Sequence, residues 1–171
     1  MLSKEQVEDI YLKLKRPFDP KKVSWRVGAT KKDEKGVPVS GIALAYIDAR
    51  DVMQRLDEVF GLNWQCRYTH ADKKTICEIG VLIDGVWVWR ANGAGDSDIE
   101  AEKGATSDAF KRAAVLFGIG RYLYDLPNVW CPLKAHGKSY SLDGAPTLPK
   151  WATPDGWDEI INKRKELKKA A

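Results

Sequence analysis

Hydrophobic positions near the N-terminus recur at helical spacing. Val7, Ile10, Tyr11 and Leu14 share one face behind Ser3-x-x-Gln6, the pattern of a capping box. Pro17 ends this helix and Pro20 prevents its resumption. The pattern then turns extended, with strands expected over Val23–Val27 and Val39–Tyr46 around the polar turn Lys31–Gly36. A second helix follows, with Asp48 as its expected N-cap and Asp51 in its first turn. Val52, Met53, Leu56, Val59 and Phe60 make its apolar stripe and Gly61 stops it, while Arg50, Gln54, Arg55, Asp57 and Glu58 fall on the opposite face.

Strict alternation begins at Trp64, with Trp64, Cys66 and Tyr68 on one side and Gln65, Arg67 and Thr69 on the other. Ala71–Lys74 turns this strand into Thr75–Ile83, and Asp84-Gly85, a preferred type I′ pair, leads into Val86–Ala91. An antiparallel meander is therefore expected over Trp64–Ala91. Next come a glycine-punctuated acidic loop and an alanine-rich helix from near Glu100 to Phe117, with a short helical piece over Arg121–Leu126. Residues 128–152 are broken by prolines and glycines without periodicity and read as an irregular arm. Thr153-Pro154 starts a last helix to about residue 169, with Trp157, Ile160, Ile161 and Leu167 as its apolar stripe. The expected fold class is α+β: an antiparallel β-meander packed against a central helix, with N- and C-terminal helices.

A length of 171 residues with 44% hydrophobic content suits one domain over residues 1–171. No apolar run approaches the roughly 20 residues of a membrane span, and MLSKEQVEDI lacks the apolar core of a signal peptide. No membrane association and a cytoplasmic location are the expectations. Seven tryptophans exceed what the core requires and suit an interface or a stacking surface.

The net charge of +4 is local in origin. Residues 163–169 hold five basic side chains and one acidic one, which leaves 23 of each sign over residues 1–162. A nucleic-acid site must then be a patch, and the bulk isoelectric point is no argument for it. Cys66, Cys77 and Cys131 lack CxxC spacing and, with His70 and His136, form no ligand-like interval, so reduced structural thiols are expected and no metal.

Asp96, Asp98, Glu100 and Glu102 beside Lys103 invite a metal-dependent nuclease reading, but D/E-x-K fails because Ala101 stands two before the lysine. Acids at a helix start are also expected from the dipole. Gly93-x-Gly95 and Gly118-x-Gly120 complete neither phosphate-binding glycine motif. No catalytic residue and no cofactor are expected. Lys111 and Arg112 splay about 100° apart on a helix and could reach successive phosphates. Equally, Asp108 could pair with Arg112 at i, i+4 while Lys111 is solvated. Both readings stand on these residues, and Arg26, Arg50, Arg55 and Arg121 favour binding only if the fold gathers them.

The order of several blocks is more specific than any one. Tyr46-Ile47-Asp48-Ala49-Arg50, the helix end Glu58-Val59-Phe60-Gly61-Leu62-Asn63-Trp64, the meander, and Glu102–Ala113 with Phe117-Gly118 together resemble the Rad52 family of single-strand annealing proteins. The likeness spans about residues 20–126 and lies nearest the DdrA-like or bacteriophage recombinase branch, which implies a bacterial or phage-encoded, nucleoid-associated protein. It implies a homo-oligomeric ring whose protomers hold single-stranded DNA in a basic groove. Unlike eukaryotic members, this sequence leaves no room for a long C-terminal recruiting region, and no recruiter role is expected. Lys111 and Arg112 fall on the family's basic pair. Arg50 is the candidate at the start of the second helix, one residue from the family position, which Asp51 occupies. Leu62 replaces the family's aromatic. The leading expectation is a repair protein that binds single-stranded DNA, protects ends and anneals strands. The other two are a structural ring or interaction protein with incidental DNA binding, and a nuclease.

Overall fold

The computed structural model describes residues 1–95 and 99–170, and side chains of residues 99–103 lie outside that description. The chain divides into two compact units, Met1–Arg16 with Asp48–Arg121, and Pro17–Ile47 with Tyr122–Ala171.

In the first unit, α1 (Lys4–Lys15) starts at the capping box: Ser3 Oγ accepts the Gln6 N–H at 3.2 Å, and Gln6 Oε1 accepts the Ser3 N–H at 2.8 Å. Helix α2 (Ala49–Phe60) begins after Asp48, which holds the N-cap position through its backbone without the expected side-chain bond. Its buried residues are Val52, Arg55, Leu56 and Phe60. The burial of Arg55 corrects its expected place on the polar face. The guanidinium donates to the carbonyls of Lys13 at 2.8 Å, Leu14 at 3.4 Å and Arg16 at 2.6 Å. These oxygens end α1, where the Lys13 carbonyl also accepts the Arg16 N–H at 3.4 Å, and a cation there is also favoured by the helix dipole.

The meander forms as expected from three strands, β1 (Trp64–Ala71), β2 (Lys74–Ile83) and β3 (Val86–Gly95), in sequence order. Asp84 and Gly85 have φ of +54° and +77°, the two positive values that a type I′ turn requires. Thr75, Cys77, Ile79 and Val81 alternate along the central strand, each with no accessible surface. Helix α3 (Ile99–Val115) packs on β2 and β3 and supplies Ala105, Ala109, Phe110, Ala113 and Ala114, all buried. Small side chains let its backbone approach the sheet, and Phe110 meets Trp64 with ring centroids 6.1 Å apart. His70 Nδ1 lies 3.0 Å from Thr75 Oγ1, so the buried hydroxyl has a partner.

The second unit holds a four-stranded antiparallel sheet. Strands β4 (Ser24–Lys32) and β5 (Pro38–Tyr46) form a hairpin, followed by β6 (Trp130–His136) and β7 (Ser139–Leu142) in the order β4-β5-β6-β7. This corrects the irregular arm expected over residues 128–152. Pro132 obscured the strand, but it sits where β6 exchanges partners: residues 130–132 pair with β5 and residues 133–136 with β7. The missing donor is tolerated at such a break, and the Pro132 carbonyl still accepts the Asp143 N–H at 2.8 Å. Helix α4 (Pro154–Ala170) starts at Thr153, whose Oγ1 accepts the Gly156 N–H at 3.3 Å. Ile161 is buried, whereas Leu167 is 63% exposed and so leaves the expected stripe. No helix among the described residues is long and apolar enough to cross a membrane.

Candidate nucleic-acid interface

Period 3.6 fixes what α3 shows to water. With Ala105, Ala109, Ala113 and Ala114 turned to the sheet, the outward stripe runs through Gly104, Ser107, Asp108, Lys111, Arg112 and Leu116. Lys111 is half-buried and Arg112 exposed, adjacent on this stripe. The i, i+4 pair exists as well: Arg112 Nε stands 2.8 Å from Asp108 Oδ2, both side chains about half exposed. An exposed helix pair of this kind contributes about 0.3–0.5 kcal/mol, too little to hold the guanidinium against a phosphate. The local pairing and phosphate binding are therefore compatible. Asn92 Nδ2 donates to the Arg112 carbonyl at 3.4 Å and ties β3 to this turn of the helix.

The remaining candidates separate. Arg50 is exposed in the first turn of α2, the helix that packs beside α3. Arg55 is withdrawn by its burial and its three carbonyl contacts. Arg121 closes the end of α3: its Nε and Nη2 reach the Val115 carbonyl at 2.9 and 2.6 Å, and Nη2 reaches that of Leu116 at 3.0 Å. Helix capping thus explains its position beyond the glycines without a ligand. Arg26 is exposed on β4 of the second unit. Asp96, Asp98, Glu100, Glu102 and Lys103, on which the nuclease reading rests, lie outside the described residues or side chains.

Two cationic side chains were missed. Arg90 pairs with Ile79 across the ladder, which places it on the α3 side of the sheet, and its guanidinium stands 5.8 Å from the Phe117 ring centroid. The alternation of the meander carried that signal. Lys15, at the end of α1, has its Nζ 4.0 Å from the Tyr11 ring centroid. Its hydrogen bond is the largest cause that holds the Tyr11 hydroxyl below the usual tyrosine range, and Arg121 adds to the effect. A Cβ added at Gly118 would meet Lys15 Cγ, so Lys15, Arg90 and Arg121 all stand near the C-terminal end of α3.

Residues 6–141 match the family described as Rad52/22 family double-strand break repair protein. The chain is 35% identical over 152 residues to the single-stranded DNA-binding protein DdrA of Deinococcus deserti, covering 88% of this chain and 73% of that one. It is 34% identical over 152 residues to the protein of the same name from Deinococcus radiodurans, covering 88% and 70%. No solved structure matches. The match over most of the chain, together with the meander and the α3 basic pair, bears out the resemblance read from the sequence: the chain belongs to the Rad52 family.

Proposed function

We propose that this chain is a non-enzymatic, single-stranded DNA-binding protein of DNA repair and recombination that protects ends and anneals complementary strands. The observation that carries the reading is the identity of 35% over 88% of the chain to a protein named for single-stranded DNA binding. In this reading Lys111 and Arg112 hold successive phosphates from the outward stripe of α3, with Arg50 contributing from α2, and Arg26 is a phosphate contact of the second unit taken by itself. Arg121 acts first as a helix cap. The protomers assemble into a homo-oligomeric ring that works in the cytoplasm on nucleoid DNA, without a cofactor.

The test is Lys111→Ala/Arg112→Ala, followed by fluorescence anisotropy with labelled oligo-dT over a salt series. Loss of two phosphate contacts should weaken binding at least about tenfold and flatten the log–log salt slope by about 1.4. Particle mass should stay that of the wild type. Wild-type affinity in the double variant would defeat the groove assignment. Pairing of complementary oligonucleotides by the wild type distinguishes annealing from end protection alone.

A further inference from the structure

The sheet of the second unit has one face that carries cations and a tryptophan and no acid. Its four strands contain not one Asp or Glu, although the chain up to residue 162 is charge-balanced. Register assigns the faces. Gly41 marks the packed side, where an added Cβ would come 2.8 Å from Val27 Cγ1 and 3.2 Å from Leu133 Cδ2. On the other side, Arg26 lies opposite Leu44, Lys31 opposite Ser40, Trp130 opposite Ile42 and Lys134 opposite Ser141. An irregularity in β4 between Val27 and Thr30 adds one residue against β5, so Arg26 and Lys31, though five apart, fall opposite Leu44 and Ser40 on the same side. With the alternation of β6 this places Arg26, Lys31, Trp130, Lys134 and His136 on one face.

The face is open. Arg26, Lys31, Lys134 and His136 are exposed, and Trp130 keeps 40% of its surface. Lys31 Nζ stands 4.2 Å from the Trp130 ring centroid, which joins a fixed positive charge to a flat aromatic surface. The nearest acids in sequence, Asp33 and Glu34 in the β4–β5 turn and Asp143 after β7, lie outside the strands. Asp33 is also occupied, accepting the N–H groups of Lys35 and Val37, each at 2.9 Å. An acid-free strip with a half-exposed tryptophan among cations is how sequence-tolerant single-strand binders combine phosphate neutralisation with base stacking.

We propose that this face of the β4-β5-β6-β7 sheet is a second single-stranded nucleic-acid surface, built from residues other than the α3 pair. Arg26, Lys31 and Lys134 neutralise phosphates there, and a base stacks on Trp130. The inference rests on the proposed single-strand binding and adds a place for it that the family motif on α3 does not include.

The experiment uses the full chain with oligo-dT and compares three variants. Lys31→Ala/Lys134→Ala should flatten the salt slope by about 1.4, as two lost phosphate contacts require. Trp130→Leu should weaken binding about fivefold or more, as loss of one stacked base does. Lys31→Arg/Lys134→Arg should retain wild-type binding. Hydrogen exchange on the wild type gives a measurement free of folding defects: oligo-dT should slow exchange over residues 130–136 and 24–32. Unchanged slope and affinity in the first two variants, or no protection of those strands, overturns the second surface if Lys111→Ala/Arg112→Ala still weakens binding. A wild-type protein that ignores oligo-dT instead defeats the reading on which the surface rests, and the surface with it.

Discussion

Replacing Arg55 with methionine separates a scaffold role from a DNA role at a residue whose charge suggests the second. The guanidinium is 7% exposed and makes two close bonds to the ends of α1, at 2.8 and 2.6 Å, with a third at 3.4 Å. Bonds from a charged donor contribute about 1.5 kcal/mol each at the low end, so the two close ones amount to about 3 kcal/mol. Methionine restores some apolar packing and avoids burial of a charge, which leaves an expected loss of about 2–3 kcal/mol. For a chain of this size that lowers the melting temperature by about 5–10 °C. Urea unfolding followed by far-UV circular dichroism measures it, with a lower midpoint at unchanged slope. Arg55→Lys should recover part of the loss, because one ammonium can still reach one or two of the carbonyls. At temperatures where Arg55→Met is folded, oligo-dT affinity should equal that of the wild type. A stability loss below about 1 kcal/mol, or a fall in affinity of the folded variant as large as that of Lys111→Ala/Arg112→Ala, would refute the capping account.

Asp108→Asn removes the carboxylate from Arg112; anisotropy should show oligo-dT binding tightened about twofold, with a stability change below about 0.5 kcal/mol. Weaker binding would mean that Asp108 orients Arg112 and does not compete with phosphate. Gly80→Ala would place a Cβ 2.9 Å from three ring atoms of Trp89, so calorimetry should register a loss of about 1–3 kcal/mol. An unchanged melting temperature would contradict this packing of Trp89 on β2. Burial of Cys77 pushes its thiol up from 9.0 to about 12. The native state then holds the proton more tightly than the unfolded chain, so this contribution is complete below pH 9.0 and is lost as pH rises through the native value. Urea midpoints should decline over that alkaline window more steeply in the wild type than in Cys77→Ala, and parallel declines would refute the assignment.

Features encoded over short stretches were legible in the chain. The capping box, the alternation after Trp64 and the Asp84-Gly85 turn each depend on neighbours within a few residues, and each appears as read. The outward position of Lys111 and Arg112 follows from the alanine period alone. Arg55 was not legible, because its partners are carbonyls of the chain near Lys13, far away in sequence and without a side-chain signature. The β6–β7 hairpin was hidden by Pro132, which forbids an uninterrupted ladder but permits a change of partner. The alternation of Trp130, Pro132, Lys134 and His136 against Cys131, Leu133 and Ala135 was present and was outweighed by the prolines. The pairing of β6 with β5 joins segments about ninety residues apart, and no local pattern announces it. At the site, helix capping explains Arg121 as fully as a ligand would, a distinction that requires the positions of the Val115 and Leu116 carbonyls.

The alanine face of α3 has a consequence for how the protein can change. Ala109, Ala113 and Ala114 have no accessible surface, so a branched side chain there would press on the meander and cost about 1–3 kcal/mol. Ser107, Arg112 and Leu116 on the opposite side are exposed and obey no such restriction. Selection can therefore vary the solvent side of this helix, around the proposed phosphate contacts, while the core stays constant. Within such a lineage, variation should concentrate at positions 107, 108 and 116, and the alanines, with Lys111 and Arg112 as the proposed phosphate contacts, should barely move.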